Sequence, residues 1–253
     1  MNRTLVLALA LTLGAGSLAG CSADESPGES SELTVLAAAS LTETFTSLAD
    51  EFEATHPGVS VRLAFDSSAT LAGQAVQGAP ADVLATADAA TMQDAVDGGV
   101  VPAGATTFAT NTMTLVVPAD NPAGVASFAD LDGAGVDYVA CVETAPCGAV
   151  AAALLAGNDV DADPASLETD VKSVLAKVVS DEADAGLVYV TDATAAGDDV
   201  QVLAISGSDA EVLDYPIGVL EQSAAPDLAQ EFVDLVLSAQ GRAILGAAGF
   251  GPP

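Results

Sequence analysis

From Leu33 onward, the apolar residues of this chain switch back and forth between a period of two and a period near 3.6, and this alternation limits the fold more than any other feature. Leu33 to Ala37 reads as a short buried strand. Leu41, Phe45, Leu48 and Phe52 then recur four, three and four residues apart, which places them on one face of a helix. Ser40, three residues before Glu43, fits a capping box and predicts that this helix starts directly after the strand. Val59 to Phe65 is the next strand, Ala69 to Gln77 a helix ended by Gly78, and Asp82 to Ala85 a short strand. Ala90 to Val96 follows as a helix stopped by Gly98 and Gly99. This order predicts an α/β sheet with helices on its faces.

A second set begins after Thr112 to Val117, a strand broken off by Pro118, Pro122 and Gly124. It comprises a strand over 136–140, helices over 148–156 and 171–179, and strands over 186–190 and 200–204. Leu213 to Leu220 is a further strand, and helices over 228–237 and 241–247 close the chain. Extended segments near 112–118 and 212–219 join the two sets, which predicts two lobes linked by two crossovers. We expect 33–114 plus 217–253 in the first lobe and 115–216 in the second, with the ligand cleft between them facing the loops that precede helices.

The N-terminus carries an address. Met1 to Arg3 is a short positive segment, and Thr4 to Leu13 is a Leu/Ala-rich run too short to span a bilayer as a stable helix. This reads as a signal peptide over residues 1–20. It closes on Leu18-Ala19-Gly20-Cys21, which resembles the bacterial lipobox, so Cys21 is the expected lipidation site and first mature residue. Acyl chains contributing about 0.8 kcal/mol per buried CH₂ would hold the protein at the outer face of the cell membrane. Residues 21–32 are polar and acidic and read as a flexible tether.

With Cys21 lipidated, Cys141 and Cys147 remain. A pair this close in an exported chain is expected to form a disulfide, contributing about 2 kcal/mol and chiefly local rigidity. A soft-metal site would need further ligands, and the single histidine, His56, sits before Pro57 at an expected helix end. The formal net charge of -31 makes nucleic acid and anionic membrane surfaces poor partners.

Catalytic arrangements fail in turn. No G-x-S-x-G elbow, G-x-x-x-x-G-K-[ST] loop or G-x-G-x-x-G occurs, and His56 is isolated in a His-Pro turn. Asp159, Asp161, Asp163 and Asp170 match much of an EF-hand register, but Pro164 stands where the calcium loop needs glycine. We expect a binding protein, not an enzyme, with no cofactor and no metal bound directly by side chains.

The stronger signal is a set of helix starts. Unpaired N–H groups and the positive end of the helix dipole hold a dianion without a cationic side chain. Ala39-Ser40-Leu41, Ser67-Ser68-Ala69, Pro146-Cys147-Gly148 and Thr169-Asp170-Val171 all carry this device, two in each expected lobe. Any one alone is an ordinary helix cap.

At these residues the chain resembles the periplasmic molybdate-binding proteins of ABC transporters. The resemblance lies in Val35-Leu36-Ala37-Ala38-Ala39-Ser40-Leu41, Asp66-Ser67-Ser68-Ala69-Thr70-Leu71-Ala72, Gly186-Leu187-Val188-Tyr189-Val190-Thr191-Asp192-Ala193 and Gly249-Phe250, in the family's order. It implies a type II periplasmic-binding-protein fold whose lobes close on molybdate or tungstate for an importer permease, the protein acting as a monomer. It further implies that Ser40 and Ser68 donate hydroxyl and backbone N–H groups from the first lobe. The Cys147 and Val171 amides and the Tyr189 hydroxyl would answer from the second. Cys147 departs from the alanine usual there, and only its backbone is used. Sulfate or phosphate on the same fold is the alternative within this class; an exported hydrolase or a surface interaction module is the alternative outside it.

Overall fold

The computed structural model describes residues 31–101 and 104–253. The leader, most of the tether and Cys21 lie outside these residues. The first sheet contains β1 (Ser31–Ala38), β2 (Val59–Asp66), β3 (Val83–Ala85), β4 (Thr106–Asn111) and β10 (Leu213–Val219), in the order β2-β1-β3-β10-β4. The second contains β5 (Met113–Pro118), β6 (Tyr138–Cys141), β7 (Ser166–Glu168), β8 (Ala185–Tyr189) and β9 (Val200–Leu203), in the order β7-β6-β8-β5-β9. The sheets share one plan. Three parallel strands stand side by side, and a fourth, β10 or β5, runs antiparallel to them and pairs with the edge strand.

The chain enters the second sheet through Thr112 and returns between β9 and β10, so there are two crossovers between two α/β lobes. β5 and β10 each belong whole to one sheet, and divisions at 114/115 and 216/217 would cut both strands. Ser31 and Glu32, expected in the tether, already pair with Val59 and Ser60 as the start of β1.

Burial on β1 follows the pleat. Leu33, Val35 and Ala37 face the main core, while Leu36 faces a smaller one with Leu71, Leu84 and Met92. Helices α2 (Ser68–Val76) and α3 (Ala89–Asp97) cover that smaller core. On the other face lies α1 (Thr42–Thr55), whose Phe45, Leu48 and Phe52 are fully buried. The C-terminal helices α7 (Pro226–Leu237) and α8 (Ala239–Ala247) return to this lobe, with Phe232 edge-on to both Phe45 and Phe52. Lobe two is built on α4 (Pro146–Gly157), α5 (Val171–Val179) and α6 (Val190–Ala196).

The Ser40 capping box is not formed. Ser40 lies in a 3-10 turn, Ala39–Leu41, and the helix begins at Thr42 behind an N-cap, Leu41, that makes no side-chain cap bond. Both partners are engaged elsewhere: the Ser40 hydroxyl with Tyr215 and the Glu43 carboxylate with Lys172. The sequence reading also omits β4, β7 and α6.

Candidate functional site

The loops that leave the C-terminal ends of the parallel strands meet between the lobes, where a doubly wound sheet places its ligands. From lobe one, β1 runs into the Ser40 turn and β2 into α2; from lobe two, β6 runs into α4, β7 into α5 and β8 into α6. Ser40, Ser68, Cys147, Val171 and Tyr189 all line one small cavity there, together with Ser67, Ala87 and the turn at Ala38-Ala39. Its free volume is only about 10 Å³, and all five expected residues are buried. The lobes are therefore closed on each other.

Each wall is set by local sequence. Pro146 opens α4, and the Cys147 N–H lies in the first turn, where helical N–H groups have no partner within the helix. Gly148 lets this turn lie against the preceding strand, since an added Cβ would run into the Val142 carbonyl. The expected disulfide is present, joining Cys141 at the end of β6 to Cys147 across the loop. Asp170 caps α5 by accepting from the Ser173 N–H at 3.0 Å, leaving Val171 as the first helical residue. Ser68 is the first residue of α2, and its Oγ accepts from the Ala87 N–H at 2.9 Å. Since that partner can only donate, the Ser68 hydroxyl proton has to point elsewhere.

Among the described residues, Tyr189 Oη is buried with no hydrogen-bond partner, and Asp192 Oδ1 is buried with only its ion pair to Lys172. The Tyr189 ring sits edge-on to Tyr215 and is 1 % exposed, and burial pushes its phenol well above the usual value, so it remains a neutral donor. Leaving such a hydroxyl unpaired costs on the order of 1–3 kcal/mol, which a ligand acceptor would recover. Asp192 Oδ1 lies 3.1 Å from Lys172 Nζ. Burial raises the Asp192 carboxyl, against the pull of Lys172, to about 6.

A cation does stand beside the cleft. Lys172 follows Val171, but its Nζ is held by Glu43 of α1 at 2.7 and 2.9 Å and by Asp192. Burial works against its charge, and the two carboxylates outweigh this and raise its pKa. Sequence reasoning missed this contact, whose partners lie 129 residues apart. It also missed Tyr215 and Asn111, which sit in strands and look like core.

The remaining candidates lie apart from this cavity. His56 caps the end of α1, stacks on Phe52 and bonds Glu231 at 2.9 Å. The acidic loop before α5 gathers no group of three or more metal-ligating side chains among the described residues. A larger hollow between β10 and α7 has mixed walls, including Val101, Thr106, Ile217, Gln230 and Val233.

The sequence profile of bacterial extracellular solute-binding proteins matches residues 33–251. The chain belongs to that family. This solute-binding protein is 40 % identical over 249 residues to the molybdate-binding protein ModA of Mycobacterium tuberculosis H37Rv, covering 98 % of this chain and 95 % of that one. Its fold is similar to that of the Azotobacter vinelandii periplasmic molybdate-binding protein, with a TM-score of 0.75 at 20 % identity over 87 % of this chain and 99 % of the other. It is equally similar to the sulfate-binding protein SubI of M. tuberculosis, at TM-score 0.75 and 20 % identity over 88 % and 87 % of the two chains. At such identities the structural likeness shows the shared fold alone. Solute-binding proteins of this family are in general not enzymes. No described helix is long and apolar enough to cross a membrane.

Proposed function

We propose that this protein captures molybdate or tungstate outside the cell and delivers it to an ABC importer permease. In this reading Ser40 and Ser68 donate from one lobe, and the Cys147 and Val171 amides and the Tyr189 hydroxyl donate from the other. The observation that carries it is the buried, unpartnered Tyr189 hydroxyl at a cavity lined by the first turns of α2, α4 and α5. Neutral donors suffice for a dianion here because charge-assisted hydrogen bonds strengthen in a water-poor cleft. A net charge of -31 slows encounter more than it weakens the closed complex, since surface charges are screened beyond about 10 Å. The 40 % identical relative named for molybdate supports this ligand class. Lipidation at Cys21 would keep the protein, as a monomer, at the membrane that holds its permease.

A thermal-shift series with molybdate, tungstate, sulfate, phosphate and chloride tests the proposal. Stabilisation by the first two alone is expected, and a response only to sulfate or phosphate would reassign the ligand. Tyr189→Phe and Ser68→Ala should each reduce the molybdate shift without lowering the melting temperature of the free protein by more than a few degrees.

A further inference from the structure

Taking Ser40 as an oxyanion donor from the proposal above, we infer that Asn111 and Tyr215 are positioning residues that turn the Ser40 hydroxyl proton into the cleft. Asn111 is the last residue of β4, at the step into the second lobe. Its Oδ1 accepts from the Thr112 N–H at 3.0 Å, which fixes the amide so that Nδ2 must donate. Nδ2 has two hydrogens. One goes to Thr191 Oγ1 of α6 at 2.9 Å, the other to Tyr215 Oη at 3.3 Å.

Tyr215 is fully buried, its ring edge-on to Phe108, Tyr189 and Phe250, so its hydroxyl cannot turn to water. Having accepted from Asn111, the phenol has a proton to place, and Ser40 Oγ lies 3.0 Å away. Burial pushes the Tyr215 phenol up, so that proton is present at all ordinary pH. If Ser40 donated to Tyr215 instead, the buried phenol proton would have no acceptor among the hydrogen bonds of the described residues, because Asn111 Nδ2 can only donate to it. With Tyr215 donating, Ser40 Oγ is satisfied as an acceptor and its proton is free for the ligand. Ser68 reaches the same state by a different partner, the Ala87 backbone N–H. Both first-lobe serines are thus held as donors by groups behind them, and the chain behind Ser40 runs to Thr191 in the opposite lobe.

The test is a double-mutant cycle on the purified protein, with sodium molybdate affinity read by isothermal titration for wild type, Ser40→Ala, Tyr215→Phe and the double variant. Tyr215→Phe should weaken binding about tenfold, and it should add less than about twofold once Ser40 is alanine. Fold losses that multiply, or a Tyr215→Phe affinity equal to wild type, would overturn the inference. If Tyr215→Phe does not fold, Asn111→Ala gives the same reading: a loss of about threefold that vanishes in the Ser40→Ala background. A wild type that does not bind molybdate overturns the functional proposal itself; a wild type that binds while the substitutions act independently overturns only the positioning role.

Discussion

Lys172 on α5 and Glu43 on α1 meet across the cleft, with Nζ 2.7 Å from Oε1, and tie the second lobe to the first beside the anion site. This bridge belongs to the closed arrangement, so it favours closure by whatever it contributes. The Glu43 side chain is half exposed, which limits that contribution to under about 1 kcal/mol. Glu43→Gln should weaken molybdate affinity about two- to fivefold, mainly through faster release, and the difference from wild type should shrink as salt is raised. Stopped-flow release kinetics at two ionic strengths check this.

The third member of that cluster, Asp192, gives a pH dependence with a defined sign. Burial lifts its carboxyl from 3.8 to about 6 in the folded protein. Between those values the unfolded chain has released this proton and the folded chain still holds it, so the associated stability is complete below pH 3.8 and is lost as pH rises to about 6. Asp192→Asn removes the effect. The stability difference between wild type and variant should change by on the order of 2 kcal/mol across that window and stay flat from pH 7 to 9. Urea unfolding at a series of pH values measures it.

The disulfide should matter more for stability than for binding. Cys147 supplies a backbone N–H and its sulfur is bonded to Cys141, so the paired substitution Cys141→Ser with Cys147→Ala keeps the donor. We expect a loss of about 2 kcal/mol on unfolding, with molybdate affinity reduced less than tenfold. Denaturant unfolding and titration of the same preparation separate the two effects.

Gly148 is required by close approach. A methyl group there would meet the Val142 carbonyl, and the first turn of α4 would have to move off β6. Gly148→Ala should destabilise the fold by about 2 kcal/mol or more and also displace the Cys147 amide. The expected outcome is a lower melting temperature together with a reduced molybdate-induced shift.

The sequence carried what is local and left out what is long-range. Helix starts at Ser68, Cys147 and Val171 were legible because caps, small residues and Pro146 act within a few positions of the chain. The strand-helix alternation was legible for the same reason, and β4 escaped notice because Thr106–Asn111 is largely polar. The α6 helix was hidden because Tyr189-Val190 continues the apolar run of β8 into its first turn. The Ser40 box failed because a partner 175 residues away takes the serine hydroxyl, and local spacing cannot reveal such competition. Lys172 shows the same limit: its position beside Val171 was visible, but not the two carboxylates that neutralise it.

The central claim is that neutral donors from both lobes bind a tetrahedral dianion between them. Isothermal titration of the purified protein with sodium molybdate, repeated in excess sulfate, tests it most directly. The account predicts one saturable site per chain whose affinity is nearly unchanged by sulfate and falls at least tenfold in Tyr189→Phe. No saturable binding, or binding indifferent to the Tyr189 hydroxyl, would contradict it.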